Sequence, residues 1–190
     1  ISTFSPGWLD GEQKPYGDAR RVPYHTLGGF YQGVLAEYVI LHEDWLVAAP
    51  ASLDDVQAST LPCAGLTAWF ALVEQGKLHA GDTVLVQGTG GVALFALQIA
   101  KAHGAEVYVT SGSDEKLARA LSLGANHGIN RLDGDWVEAI YALTQDRGID
   151  HVIDTVGGTN LGNSVRAVAV GGRISVIGIL EGNEISAPAG

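Results

Sequence analysis

The segment Gly88–Gly91 has the composition and position of a turn that could bind an anion. It follows the β-branched apolar run Thr83–Gln87 and precedes an apolar helical segment, which Gly104 ends before a second strand-like run, Glu106–Thr110. In a strand–turn–helix unit, backbone N–H groups and the positive end of the helix dipole face the space above the turn. The spacing therefore predicts a site for a pyrophosphate.

The glycines also fit the dinucleotide fingerprint G-x-G-x-x-A. Gly88 would permit the tight turn, Gly90 would let the backbone approach the phosphates, and Ala93 would keep the helix close to the sheet. The alternative is a turn with only a structural role. A nucleoside-triphosphate P-loop is excluded, because no Gly-Lys-Ser/Thr follows the glycines.

Composition narrows the class of protein. The 190 residues are 46% hydrophobic and 17% charged, which is typical of a globular protein, and no apolar run is long enough to span a bilayer, so we expect no membrane partner. The net charge of −10 argues against nucleic acid as a partner. The single cysteine, Cys63, suits a reducing cytoplasm, and no secretion leader is visible. Because the chain starts at Ile1 and has no Met, we expect a fragment of a longer product or one with trimmed ends.

Glycines recur at regular intervals in the second part of the chain. Each predicted strand follows one of these glycines, and successive glycines are separated by about the length of one strand and one helix. They are Gly81, Gly104, Gly124, Gly148 and Gly171. Ser113 and Asp135 are placed to cap the helices between. Strands that alternate with helices predict a doubly wound, mainly parallel sheet. Five strands are expected, with a sixth unit cut short near Ala187–Gly190.

The first 50 residues differ in character. Residues 1–33 have loop composition, with a short strand near Ile1–Phe4, whereas Ala36–Leu41 and Trp45–Val47 are typical of two short strands. We place a domain boundary near Pro50–Asp55. Ala51–Gln75 is predicted to be helical, with a capping box of Ser52 and Asp55 and an interruption at Leu61-Pro62.

The end of the second strand bears on which nucleotide binds. Val109–Ser113 carries no carboxylate that could bond the ribose 2′-hydroxyl of NAD, whereas Lys116 and Arg131 follow closely. Hydroxyls with nearby cations suit a 2′-phosphate, so NADP(H) is preferred over NAD(H). The alternative is that Lys116 is a solvated helix residue beside Asp114 and Glu115. The missing acid also weakens a second alternative, an S-adenosylmethionine-dependent methyltransferase.

Five motifs resemble the medium-chain dehydrogenases and reductases, in particular the quinone-oxidoreductase-like and alcohol-dehydrogenase-like members. They are LPCAGLTAWFAL (61–72), GDTVLVQGTGGVALFALQIAKAHGAEV (81–107), SDEKLARALSLGA (113–125), RGIDHVIDTVGG (147–158) and VGGRISVIGIL (170–180). GVLAEYVILHEDWLVAAP resembles the end of that family's GroES-like substrate domain. The resemblance implies that residues 1–50 come from a GroES-like β domain and that residues 51–190 form a Rossmann-type dinucleotide-binding domain, in which the last strand is expected to be missing.

The resemblance also implies which residues bind the cofactor. Gly88, Thr89, Gly90, Gly91 and Val92 match the pyrophosphate loop. Ser111, Lys116 and Arg131 match the adenosine end in NADP-using members. Val156, Gly157, Gly178 and Ile179 match positions near the nicotinamide, and Thr67 matches a helix position that approaches the cofactor. Ala93 stands where many members have a third glycine, which the fingerprint tolerates.

Cys63 corresponds to a zinc ligand in zinc-dependent alcohol dehydrogenases. A catalytic zinc needs three protein ligands, and the family's others precede the segment present here. The six histidines have no ligand spacing. We therefore expect no metal site, and Cys63 to be a small buried apolar residue.

The function that the resemblance implies is hydride transfer between NADP(H) and a small carbonyl, alcohol, quinone or enone, in an intact protein that is a homo-oligomer. No general acid stands out. The alternative is a cofactor-binding or sensing module without turnover, since this chain alone would lack much of the substrate domain.

Overall fold

A computed structural model describes residues 1–8, 25–182 and 184–185. The chain forms two compact units, Ile1–Cys63 and Ala64–Gly190. The predicted loop between residues 9 and 24 and the predicted start of a sixth unit at Ala187 lie outside the described residues. The predicted domain boundary near residue 50 remains a prediction.

The first unit has little regular structure in its described part. Ser2 and Leu46 form an isolated antiparallel bridge, and a short 3-10 helix covers Glu43–Trp45. The strands predicted at Ala36–Leu41 and Trp45–Val47 are wrong. A strand needs a neighbour to satisfy its backbone groups. Among the described residues, the backbone bonds from this segment to a distant stretch lie at its end, where Thr3 N–H donates to Trp45 O and Val47 N–H to Ile1 O, both at 2.8 Å.

Helix α1 covers Asp55–Ser59 near the end of this unit. Asp54 is its N-cap, and Gln57 completes a capping box with it, so the predicted box of Ser52 and Asp55 is wrong. Asp54 takes this role because its side chain accepts the Gln57 N–H at 2.7 Å while Gln57 accepts the Asp54 N–H at 3.1 Å.

A second helical segment begins at Leu61, so the break in the helix lies at Thr60 and not at the predicted Leu61-Pro62. It consists of a π-helical turn at Leu61–Gly65, helix α2 at Leu66–Trp69 and a second π-helical stretch at Phe70–Gln75.

The second unit is built on one parallel sheet. Its strands are β1 (Thr83–Gln87), β2 (Glu106–Ser111), β3 (His127–Asn130), β4 (Ile149–Asp154) and β5 (Val168–Val176), in the order β3-β2-β1-β4-β5. The connecting helices are α3 (Gly91–Ala102), α4 (Asp114–Ser122), α5 (Trp136–Leu143) and α6 (Leu161–Ala167), with a 3-10 turn at Gly158–Asn160 before α6. The predicted doubly wound α/β fold is confirmed.

Each face of the sheet packs against its own helices. Val84 and Val86 of β1 belong to a core with residues of α3 and α4, whereas Leu85 belongs to a second core with Val137 and Ile140 of α5. All five residues of β1 are buried, as expected for a central parallel strand that is covered on both sides.

Most of the predicted element boundaries are also confirmed. Four of the five glycines precede strands and have positive φ, as Gly104 (80°) and Gly124 (106°) illustrate after α3 and α4. The predicted strand after Gly171 starts earlier than expected, because β5 begins at Val168 and contains this glycine. Ser113 and Asp135 are the N-caps of α4 and α5. The chain order reverses between β1 and β4, which places a crevice at the carboxyl ends of these strands.

Candidate functional site

A cleft of about 1170 Å³ lies at the carboxyl ends of the strands in the second unit. Its lining includes ten of the thirteen residues predicted to bind cofactor: Gly88, Thr89, Gly90, Gly91, Val92, Ser111, Lys116, Arg131, Val156 and Gly178. The other three, Thr67, Gly157 and Ile179, are not part of this lining. The prediction that these thirteen residues bind cofactor remains a prediction.

The glycine turn uses the N–H of Gly88 in a bond to the sheet and leaves its other backbone donors free. Gly88, with φ of 84°, donates its N–H to Thr110 O at 2.8 Å and so joins the turn to the end of β2. Within the described part of the chain, the N–H groups of residues 89–93 donate to no protein acceptor, and the N-cap Gly90 offers no side chain. A Cβ atom at Gly90 would have nothing within 4 Å. The start of α3 is therefore an open anion cradle.

The tip of β2 is organised by two serines. The Ser111 side chain is nearly buried and accepts the Ser113 N–H at 3.3 Å, and Ser113 in turn accepts the Lys116 N–H at 3.4 Å. These bonds fix the backbone that enters α4. The residues at the strand end, Val109–Ser113, include no carboxylate.

Two cations border this tip. The main-chain N–H of Arg131 donates to Ser111 O at 2.9 Å. The Arg131 guanidinium lies beside Gly112, where its Nη2 would be 3.4 Å from a Cβ added to this glycine. Among the described residues neither Arg131 nor Lys116 forms an ion pair. The nearby Asp114 carboxylate accepts a bond of 2.8 Å from Asn130 Nδ2.

A third cation of the cleft differs from these two. Arg166 donates to Asp135 at 2.9 Å and lies 3.3 Å from Glu138. The hydrogen bond from Arg166 is the main cause that holds the pKa of the Asp135 carboxyl below its usual value. Arg166 is not among the residues predicted from the sequence, and because it is already neutralised it is a weaker candidate for binding an anion.

A buried polar network, which is also not predicted from the sequence, supports the opposite end of the cleft. Asp154, with 0% of its surface exposed, accepts from the Val156 and Gly157 N–H groups and from the Ser164 hydroxyl. Gln87 donates to Ser164 at 2.8 Å and accepts from Asn160 at 2.7 Å. A carboxylate at the end of a continuous apolar strand is the signal that could have revealed this network, because such a group is buried only with partners.

Gly157 does not line the cleft. It is buried with φ of 66°, and a Cβ on it would overlap Gly178 O. The loops after β4 and β5 therefore contact each other through their glycine backbones, and Gly157 supports the cleft wall from behind.

Cys63 is exposed, so the prediction that it is buried is wrong. It lies on the outer side of the π-helical turn, while Gly65 of the same turn is buried. In the described ranges, no three His, Cys, Asp or Glu side chains lie close enough together to hold a metal ion. The residues described do not fit a zinc site.

Comparison with known proteins identifies the family. The zinc-binding dehydrogenase family matches residues 91–189. The chain is a medium-chain dehydrogenase/reductase. This membership confirms the resemblance and leaves the methyltransferase alternative without support.

Relatives of this dehydrogenase/reductase chain come from several organisms. A zinc-type alcohol dehydrogenase-like protein of Schizosaccharomyces pombe is 39% identical over 183 residues, which cover 95% of this chain and 51% of the relative. A quinone oxidoreductase of Rattus norvegicus is 33% identical over 164 residues, 86% of this chain and 49% of the relative. The chain thus spans about half the length of the curated relatives it matches.

Solved structures agree with the fold. A protein from Sinorhizobium meliloti 1021, described as a candidate alcohol dehydrogenase, is 68% identical with a TM-score of 0.94, over 100% of this chain and 55% of that one. An NAD-dependent alcohol dehydrogenase is 38% identical with a TM-score of 0.78, over 84% of this chain and 46% of that one. No helix in the described part is both long and apolar enough to cross a bilayer.

Proposed function

We propose that this dehydrogenase/reductase chain binds NADP(H) and that the intact protein transfers a hydride between this cofactor and a small carbonyl, alcohol, quinone or enone. The nicotinamide ring supplies the hydride chemistry, and the protein binds and orients the ring and excludes water. The glycine turn holds the pyrophosphate, Ser111, Lys116 and Arg131 hold the adenosine end, and the loops after β4 and β5 border the nicotinamide end.

One observation carries the choice of NADP(H). At the tip of β2, Lys116 and Arg131 line the cleft without an acidic partner in the described residues, while no carboxylate occupies the strand end. A 2′-phosphate placed there gains charge-assisted hydrogen bonds, and the ribose 2′-hydroxyl of NAD finds no acid to bond.

The relatives support the reaction class and differ over the cofactor. The names of the matched proteins include alcohol dehydrogenase-like and quinone oxidoreductase, which supports carbonyl, alcohol and quinone substrates. One solved relative is described as NAD-dependent. The two free cations are our reason for preferring NADP(H) in this chain.

The test compares binding of NADPH and NADH by titration calorimetry. We expect NADPH to bind this chain at least tenfold more tightly, and Lys116→Gln and Arg131→Gln each to weaken NADPH binding about tenfold, because each removes one charged hydrogen bond to phosphate. NADH binding should change little in either variant.

Arg119→Gln is the matched control, since Arg119 is an exposed cation of the same helix α4 and lies outside the cleft lining. We expect it to leave both affinities unchanged. Equal affinity of the wild-type chain for the two cofactors would refute the NADP(H) preference. A chain that binds neither would refute the dinucleotide function.

For the intact protein we further propose a homo-oligomer in the cytoplasm that acts without zinc held by the described residues. The lone cysteine, which can form no disulfide within the chain, suits a reducing compartment. Sedimentation of the intact protein, together with metal analysis after purification without chelator, tests the oligomer and the zinc prediction.

A further inference from the structure

Two loops form the wall of the cleft opposite the adenosine end. The β4 loop comprises Thr155–Asn160, and the β5 loop comprises Ile177–Gly182. Val156 and Gly178 contribute to the cleft lining, so the position of these loops sets the shape of the space at this end.

Asp154 is bonded to both loops. Its carboxylate Oδ1 accepts the Val156 N–H at 2.9 Å and the Gly157 N–H at 2.8 Å, which fixes the start of the β4 loop. Its main-chain O accepts the Ile177 N–H at 2.8 Å and the Gly178 N–H at 3.3 Å, which fixes the start of the β5 loop. One residue at the end of β4 therefore determines where both loops leave the sheet.

The Asp154 carboxylate is itself held in place. Ser164 of α6 donates its hydroxyl to Oδ2 at 2.8 Å, and Gln87 Nε2 donates to the Ser164 oxygen at 2.8 Å. Asp154 and Ser164 are both 0% exposed. In such surroundings an unmade hydrogen bond is costly, so the carboxylate has one favourable orientation.

This hydrogen-bond network also includes a residue at the cleft surface. Asn160, which lines the cleft, donates to Gln87 Oε1 at 2.7 Å, and Gln87 ends β1 directly before the glycine turn. The two loops are also joined to each other, because Glu181 N–H donates to Val156 O at 3.2 Å and the Thr159 hydroxyl to Glu181 at 3.1 Å. They can hold their shape as a pair once Asp154 anchors them.

We propose that Asp154 is the positioning residue of the nicotinamide pocket, which anchors the β4 and β5 loops so that they bind the nicotinamide ring in one orientation. The proposal rests on the proposed dinucleotide function. It assigns to Asp154 no contact with the cofactor and no part at the adenosine end, because its bonds run to the two loops and to α6.

The experiment uses two ligands that differ only in the nicotinamide, NADPH and 2′-phospho-ADP-ribose. We expect Asp154→Ala to weaken NADPH binding about tenfold while 2′-phospho-ADP-ribose binding stays within about twofold, since only the former uses the displaced loops. The change in NADPH fluorescence on binding should also decrease, because it reports the surroundings of the ring.

Asp154→Asn provides a variant of unchanged shape. Its amide oxygen can still accept from the β4 loop, but its amide group must donate to Ser164, whose own proton then loses its acceptor. We expect an intermediate loss of NADPH affinity, and this variant decides the question if Asp154→Ala does not fold.

Asp150→Asn is the matched control. Asp150 lies on the same strand and is also a hydrogen-bonded carboxylate, but it bonds Thr83 and Arg147 at the amino ends of the strands. It should change neither affinity. An equal loss for both ligands in the Asp154 variants would indicate a general structural role and overturn the proposal, as would unchanged NADPH binding. If the wild-type chain binds neither ligand, the proposed function itself fails, and the role of Asp154 with it.

Discussion

At the scale of single residues, Gly90 is the most restrictive position of the proposed phosphate turn. Its added Cβ would point into open space, and its φ of −79° is accessible to any residue, so a side chain there is compatible with the fold. We expect Gly90→Val to abolish NADPH binding, because the side chain would occupy the space of the pyrophosphate, while the melting temperature changes little.

Gln98→Val is the control for this prediction, since it introduces the same side chain at an exposed position of α3 that lies outside the cleft lining. Calorimetry should give NADPH binding close to that of wild type. Retained binding in Gly90→Val would mean that the turn has a structural role only.

Ser111 tests the charge at the tip of β2. We expect Ser111→Asp to weaken NADPH binding more than tenfold and to leave NADH binding equal or stronger, because a carboxylate would repel the 2′-phosphate and could bond a ribose hydroxyl. Ser111→Asn has the same shape without the charge and should retain the preference for NADPH. An unchanged ratio of affinities in Ser111→Asp would contradict the assignment of the adenosine end.

At the scale of elements, Asp150 joins two central strands. It accepts both the N–H and the hydroxyl of Thr83, at 2.8 and 2.9 Å, and thereby connects β4 to β1. Burial alone would raise the pKa of the Asp150 carboxyl, but the hydrogen bonds from Thr83 and Arg147 hold it below its usual value of 3.8.

This pKa has a defined consequence for stability. Because the folded state favours the ionised carboxyl, its contribution is complete above the unfolded pKa and is lost as the pH falls through the folded pKa. We expect Asp150→Asn to lower the free energy of unfolding by ~1–3 kcal/mol at pH 7, and the difference from wild type to shrink below about pH 4. Urea denaturation at several pH values measures it, with exposed Asp133→Asn as the control; a difference independent of pH would contradict the role of the charge.

The elements of the second unit were predictable because their signals are local. Continuous apolar strands, Ser113 and Asp135 as N-caps and glycines after helices each occupy a few neighbouring residues, and the right-handed crossover rule then fixes the parallel sheet. The residues of the glycine turn and of the β2 tip were predictable for the same reason, as they follow directly on strands.

The remaining features depend on partners distant in sequence. Gln87 and Ser164 are 77 positions apart, and no local pattern indicates that they bond. The run Ala36–Leu41 has strand composition, yet strand formation depends on a neighbouring strand that composition does not reveal. The exposure of Cys63 could not be predicted from its residue type either, because it depends on which side of the turn faces outward.

At the scale of the whole molecule, the charge distribution opposes the proposed ligand. The chain has a net charge of −10, and yet the proposed cofactor carries an additional phosphate compared with NAD(H). Lys116 and Arg131 must therefore attract this phosphate over a short distance against the repulsion of a generally acidic surface.

The balance of these two effects predicts that salt changes the ratio of NADPH to NADH affinity in opposite directions in the wild-type chain and in a variant without the two cations. Both cations belong to exposed residues, so salt screens their attraction, and the ratio of NADPH to NADH affinity should fall as ionic strength rises from ~0.05 to ~0.5 M. In the double variant Lys116→Gln/Arg131→Gln only the acidic background remains, and the same salt should raise the ratio because it screens repulsion. Fluorescence titration of both chains measures the two slopes. Parallel slopes would show that these cations do not bind the phosphate, whereas opposite slopes would establish that a local pair of charges overcomes the field of the molecule.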